Sequence, residues 1–180
     1  MSNFALPPEI RPDKNLIFKG KTYPVDFSMI KHYSNYFYEN QSCYEQLTSI
    51  ELSEEKIEIS DEDFQNFISC CQNQNFQLSD SNVFQLHQLS TTYKVPGLQK
   101  ITNEYIMNNK ENLIFSSITF KHQNQLNSNS EEDTIASNFA KYINDDRLFS
   151  LPISMIYKIL NNKNLTIDEN QIVEFLFKCI

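Results

Sequence analysis

The chain has 180 residues, a formal net charge of −8 and a pI of about 4.9, with 40% hydrophobic and 13% aromatic residues. That aromatic content supports a packed core and excludes a disordered tail. The acidic balance is the wrong sign for a duplex or a phospholipid surface, whose phosphates are met by Lys and Arg, so no nucleic-acid or membrane partner is expected.

No apolar run approaches the roughly 18 residues of a membrane span. The start, Met1-Ser-Asn-Phe-Ala-Leu-Pro-Pro-Glu, lacks the basic and long apolar regions of a secretory signal. The expected compartment is therefore the cytoplasm, with the nucleus also open. Cys43, Cys70, Cys71 and Cys179 make no CxxC or Cys/His zinc spacing and read as reduced core residues. No metal and no cofactor is expected.

Residues 1–13 hold Pro7, Pro8 and Pro12 and read as an irregular arm. Leu16-Ile17-Phe18 and Thr22-Tyr23-Pro24-Val25 flank a Lys19-Gly20-Lys21 turn, which predicts a hairpin with Gly20 at positive φ. Asp26–Phe37 has helical spacing, with Phe27, Ile30 and Ser34 on one stripe. Ser49–Leu52 and Lys56–Ile59 alternate polar and apolar residues and predict two strands joined through Ser53-Glu54-Glu55. Ser60-Asp61-Glu62-Asp63 then supplies a hydroxyl cap and acids for a helix start. Phe64, Phe67, Ile68 and Cys71 follow as its apolar face.

Phe76-Gln77-Leu78 reads as a further short strand. Ser79-Asp80-Ser81 reads as the cap of a helix whose Val83, Leu86, Leu89 and Tyr93 point inward. Pro96-Gly97 breaks that helix, and Leu98, Ile101, Tyr105 and Ile106 carry another to about Asn108. A boundary is expected at about Asn109–Leu113. Beyond it Asn124–Asp133 reads as a flexible polar loop. Three apolar faces follow: Ile135, Phe139, Tyr142 and Ile143; Ile153, Ile156, Tyr157 and Leu160; Ile172, Phe175, Leu176 and Cys179. Because Ile180 falls inside an apolar helical pattern without a cap, the expectation is a fragment, or a domain completed by a surface from elsewhere.

Catalytic readings find no support in the spacing. His32, His87 and His122 have no nucleophile or paired carboxylate at motif distance. Ser34 lacks the flanking glycines of a nucleophile elbow. The acids of Glu51–Asp63 lack the regular ligand spacing and glycine of a calcium loop, so they read as a solvated rim. The chain is not expected to be an enzyme.

The run Tyr23-x-Val25-x-x-x-Met29-Ile30-x-x-x-Ser34-x-Tyr36-Phe37 resembles the opening helix of BTB/POZ domains. Those domains place strand, helix, strand and helix in the order read here for Ile57–Ile59, Phe64–Cys71, Phe76–Leu78 and Asn82–Tyr93. The resemblance covers about residues 14–109. Phe139–Leu148, Leu151–Leu160 and Leu165–Glu169 resemble the helical BACK extension that often follows a BTB domain. The implied fold is α+β, a small mixed sheet flanked by helices over residues 14–109, then a partial all-α extension over residues 110–180.

The resemblance implies other proteins as partners: self-association as a homodimer, docking onto a cullin-type ubiquitin ligase scaffold, or both, as an adaptor. The alternative is an assembly module that oligomerises or supports a repeat domain such as ankyrin repeats without a ligase role. Cullin-binding members use an aliphatic-x-acid element before the third helix. Ile59-Ser60-Asp61 has that form, with Phe64 and Asn73 as neighbours, whereas ungapped alignment puts Lys56-Ile57-Glu58 there. On the other reading Ile59 is a core residue at a strand end and Asp61 a cap acid. Two positions depart from the family pattern: Asp26-Phe27 stands where His-Lys is usual, and Gln72-Asn73 where an aromatic-Thr pair ends the third helix.

Overall fold

The computed structural model describes residues 11–53 and 58–178. Readings that rest on Pro7, Pro8, Glu54, Glu55, Lys56, Ile57 or Cys179 lie outside the described residues. The chain divides into two compact units, Met1–Asn109 and Lys110–Ile180, each with its own buried apolar cluster.

In the first unit β1 (Lys14–Phe18) and β2 (Lys21–Val25) form an antiparallel hairpin, and β3 (Ser49–Glu51) pairs parallel with β1, giving the order β2-β1-β3. The register puts Leu16 opposite both Tyr23 and Ile50, and with Phe18 and Val25 one face carries five buried side chains. At the turn Lys19 (φ 50°) and Gly20 (φ 73°) are both left-handed, the geometry that lets a two-residue turn follow the strand twist. The helices of this unit are α1 (Phe27–Tyr33), α2 (Asn35–Glu39), α3 (Gln41–Tyr44), α4 (Asp61–Cys71), α5 (Val83–Thr92) and α6 (Pro96–Asn108), which share one apolar cluster with the sheet. The expected α+β class holds.

Three local expectations in this unit do not. The single helix over Asp26–Phe37 is two helices, broken at Ser34 (φ −117°, ψ 115°). Ser34 is fully buried; its Oγ donates to the Tyr93 carbonyl (2.5 Å) and accepts from the Phe37 amide (3.3 Å). The Ser34 amide thus closes α1 by donating to the Ile30 carbonyl, while its hydroxyl caps α2 and ties it to the end of α5. The strand expected at Phe76–Leu78 is also absent. Side-chain amides satisfy that backbone instead: Asn66 Oδ1 accepts from Gln77 N, and Asn82 Nδ2 donates to Gln77 O. Nor do Ser79-Asp80-Ser81 cap α5 with a side chain, since its N-cap is Asn82, whose Oδ1 accepts from Ser79 N.

The core of this unit is aromatic. Phe18 stacks on Phe64 with centroids 4.1 Å apart, and Phe37 stacks on Tyr93 at 5.7 Å. Such pairs add about 0.5–1.5 kcal/mol beyond the area they bury.

The second unit is helical throughout its regular structure: α7 (Ile114–Gln123), α8 (Asn129–Ser137), α9 (Phe139–Tyr142), α10 (Asp146–Phe149), α11 (Ile153–Leu160) and α12 (Glu169–Lys178). The loop expected at Asn124–Asp133 is shorter, because α8 begins at Asn129. Glu131 fastens that start to α7, accepting from Ser117 Oγ (2.9 Å) and from Lys121 Nζ (2.7 and 2.8 Å). Burial alone would raise the Glu131 pKa, but the hydrogen bonds from Lys121, Ser130 and Ser117 outweigh it and the net shift is downward.

The faces of α11 and α12 are rotated from expectation. Ile153 is 84% exposed and Tyr157 68%, while Met155, Ile156 and Ile159 are buried. In α12 only Phe175 is buried; Leu176 stands out in solvent beside Val173 and Phe177. Among the described residues no helix is long and apolar enough to cross a membrane.

Three helices stop in the same way without glycine. After α4, α5 and α7 the residues Asn73 (φ 55°), Lys94 (φ 49°) and Gln125 (φ 55°) turn left-handed. In each case the next amide reaches back to a carbonyl five residues earlier: Gln74 to Ser69, Val95 to Ser90, Leu126 to Lys121. This is the Schellman pattern, in which glycine ordinarily takes the left-handed position.

Candidate functional site

The residues singled out in the sequence lie along α4 and its approach. The Ser60 hydroxyl caps the helix, accepting from the Asp63 amide (3.1 Å). The hairpin holds this end in place: Lys19 Nζ donates to the Ile59 carbonyl (3.0 Å), Lys21 pairs with the Asp61 carboxylate, and Tyr23 Oη donates to Asp61 Oδ1 (3.5 Å). Burial and the neighbouring Asp61 charge both raise the Tyr23 pKa, while Asp61 raises that of exposed Lys21.

Ile59 (3% exposed) and Phe64 (0%) belong to the apolar cluster beneath, so neither presents its side chain to a partner. Asp61 and Asn73 are exposed. With a rise of about 1.5 Å per residue they stand at opposite ends of α4, roughly 18 Å apart along its axis. The fold therefore gathers Ile59, Asp61 and Phe64 at one corner and leaves Asn73 at the other, where it terminates the helix.

The two departures from the BTB pattern meet in space. Gln72, 4% exposed, accepts through Oε1 from the Asp26 amide (2.8 Å), joining the end of α4 to the start of α1. Asp26 Oδ1 accepts in turn from the Ser28 hydroxyl (2.5 Å) and from the Ser28 and Met29 amides, and these bonds, the hydroxyl's first, hold its carboxyl below the usual range against the effect of burial. Phe27 is buried, with the ammonium groups of Lys14 and Lys31 each 5.5 Å from its ring centroid.

The histidines stand apart. His32 and His122 are exposed, and His87 Nδ1 contacts Thr102 Oγ1 (3.0 Å) between α5 and α6. Among the described residues no group of three or more His, Cys, Asp or Glu is placed to hold a metal ion.

Two surface recesses were not foreseen from the sequence. One, of about 470 Å³, lies on α1–α3 and is lined by Ser28, Lys31, His32, Asn35, Tyr38 and Gln41. It has two basic groups and no carboxylate. The other, of about 550 Å³, lies between α8 and the end of α11, lined among others by Glu132, Asp133, Tyr157, Lys158 and Lys163. Glu132 is 7% exposed; its Oε1 accepts from Ser128 Oγ (2.6 Å) and lies 3.8 Å from Lys158 Nζ. The available signal was the pairing of an aromatic with lysines at Tyr157-Lys158, which an apolar helix pattern masks.

No family model matches the chain. No curated protein matches it either. Among solved structures it is similar to the BTB (Tramtrack and Bric a brac) domain of human gigaxonin, with 17% identity and a TM-score of 0.44, over 52% of this chain and 75% of that one.

Proposed function

We propose that this chain is a protein-interaction module that associates with copies of itself. The observation that carries the reading is the set of large apolar side chains held out in solvent: Ile153 at 84%, Phe177 at 75% and Tyr157 at 68% exposure. Isolated exposed apolar residues are ordinary, but a helix turn carrying two of them, above an already filled core, marks a contact surface. The resemblance of Tyr23–Phe37 to the opening of BTB domains, read from the sequence, supports the same role. Sedimentation equilibrium of the full chain across a hundredfold concentration range tests it. Dimers or larger species are expected, and a strict monomer at the highest concentration refutes self-association.

Docking onto a cullin-type scaffold is a second reading, favoured by one observation. Of the Ile59-Ser60-Asp61 element, Asp61 stays exposed at a corner braced by Lys21 and Tyr23. Pull-down with a cullin N-terminal domain tests this. Asp61→Lys should remove binding while leaving the thermal transition within a few degrees, and unchanged binding rejects the element. Ile59 is unsuited to such a test, because a charge at a buried position destabilises the fold itself.

A further inference from the structure

We infer that the recess between α8 and α11 is where two copies of this chain meet, with Tyr157 of each as the central contact. The inference rests on the self-association proposed above and assigns it a face. Ile153 and Tyr157, one helical turn apart, form an apolar ridge along the exposed side of α11. Beside the ridge lies the recess, with the carboxylates of Glu132 and Asp133 on α8 and the ammonium groups of Lys158 and Lys163 at the end of α11.

Charge argues for a second copy as the occupant. A chain of net charge −8 repels itself over most approaches. This face carries two acids and two bases, so it is locally neutral and can be its own complement. A two-fold contact brings each residue of a patch onto its symmetry mate's partner. A rotation axis between Asp133 and Lys163 therefore pairs each with the other in the opposite copy. Asp133 accepts from Asn162 Nδ2 (2.7 Å) within its own chain, and Lys163 is exposed. The recess on α1–α3 has a different character: Lys31 is its one formal charge and no carboxylate lines it, so two copies joined there would find no counter-charge.

Sedimentation equilibrium of the full chain and four variants tests the assignment, with circular dichroism to verify folding. Tyr157→Glu and Lys163→Asp should each weaken the dimer by about tenfold or more, as truncating or inverting a central contact does. The double variant Asp133→Lys/Lys163→Asp should recover most of that loss, because both cross-pairs are inverted together. Tyr38→Glu, on the first unit, should change nothing. Dimers insensitive to Tyr157→Glu, or a double variant no better than Lys163→Asp alone, overturn this face and leave self-association standing. A monomeric parent chain overturns both.

Discussion

Ser34 shows how one side chain can decide local structure. Its hydroxyl satisfies the Tyr93 carbonyl and the Phe37 amide inside the core, so Ser34→Ala strips both of a partner. The expected loss is about 1–3 kcal/mol, read as a shift in the urea midpoint with an unchanged slope. The serine was visible in the sequence as part of a motif, but the break it makes was not, because helical spacing runs unbroken through Asp26–Phe37. The Gln72–Asp26 link was hidden for another reason: nothing local marks a contact between residues 46 positions apart. His87 gives a pH dependence. Burial lowers its pKa from 6.5, so the folded chain favours the neutral ring. Its Nδ1 lies 3.0 Å from Thr102 Oγ1, which itself donates toward the Leu98 carbonyl (2.9 Å). The unfolded chain takes up the proton first on acidification. This group's contribution is therefore complete above pH 6.5 and is lost as pH falls through the lower folded value. His87→Gln should flatten that segment of a stability-against-pH curve. The cysteines divide as well: burial pushes Cys70 up to about 11 and Cys71 well above its usual value, whereas Cys43 is exposed. Iodoacetamide followed by peptide mapping should label Cys43 quickly and the Cys70-Cys71 peptide only on unfolding. Cys43, expected in the core from the sequence, thus stands at the surface.

At the level of elements, the start of α4, the inward faces of α4 and α5 and the end of α6 were legible, whereas the stops of α4, α5 and α7, the start of α8 and the faces of α11 and α12 were not. Ser60 opens α4 as its sequence announces, since a hydroxyl three residues before an acid is a local signal. The ends of α4, α5 and α7 carry no such signal, because Asn73, Lys94 and Gln125 occupy positions where glycine is the usual mark. Asn73→Val should cost about 1–2 kcal/mol, the penalty of a left-handed backbone for a branched residue, and Asn73→Gly should stabilise by roughly a few tenths of a kcal/mol. Thermal denaturation of the two variants separates the prediction from a loss of side-chain contacts. The face of α11 was misread because six of its eight residues are apolar or aromatic. A 3.6-residue period cannot select one arc from a helix that is apolar nearly all round; packing of Met155, Ile156 and Ile159 selected it.

At the scale of the molecule, the α+β class was legible because the alternation in β1–β3 and the turn at Gly20 are signals of short range. The all-helical part was legible as helical only. Its elements are short, and the polar run before α8 concealed a helix start anchored by Glu131 to α7. The apolar clusters do not share members: one lies within residues 16–98 and the other within 115–175. A cavity made by Phe67→Ala, costing about 3–5 kcal/mol, should therefore raise hydrogen exchange across residues 11–109 well before it does so across 110–178. Uniform acceleration along the chain would contradict the separation. The candidate site was the least legible part. Short motifs pointed to Ile59 and Phe64, which the core claims, while the exposed Ile153 and Tyr157 looked like core residues.

The left-handed helix stops bear on how far this protein lies from its stability optimum. Written with two glycines, the chain holds Lys19, Asn73, Lys94 and Gln125 in a backbone region that disfavours any residue with a Cβ. Each is an uncorrected expense of a few tenths to about 1 kcal/mol. Directed evolution for heat resistance should find these codons early, replacing them with glycine one at a time.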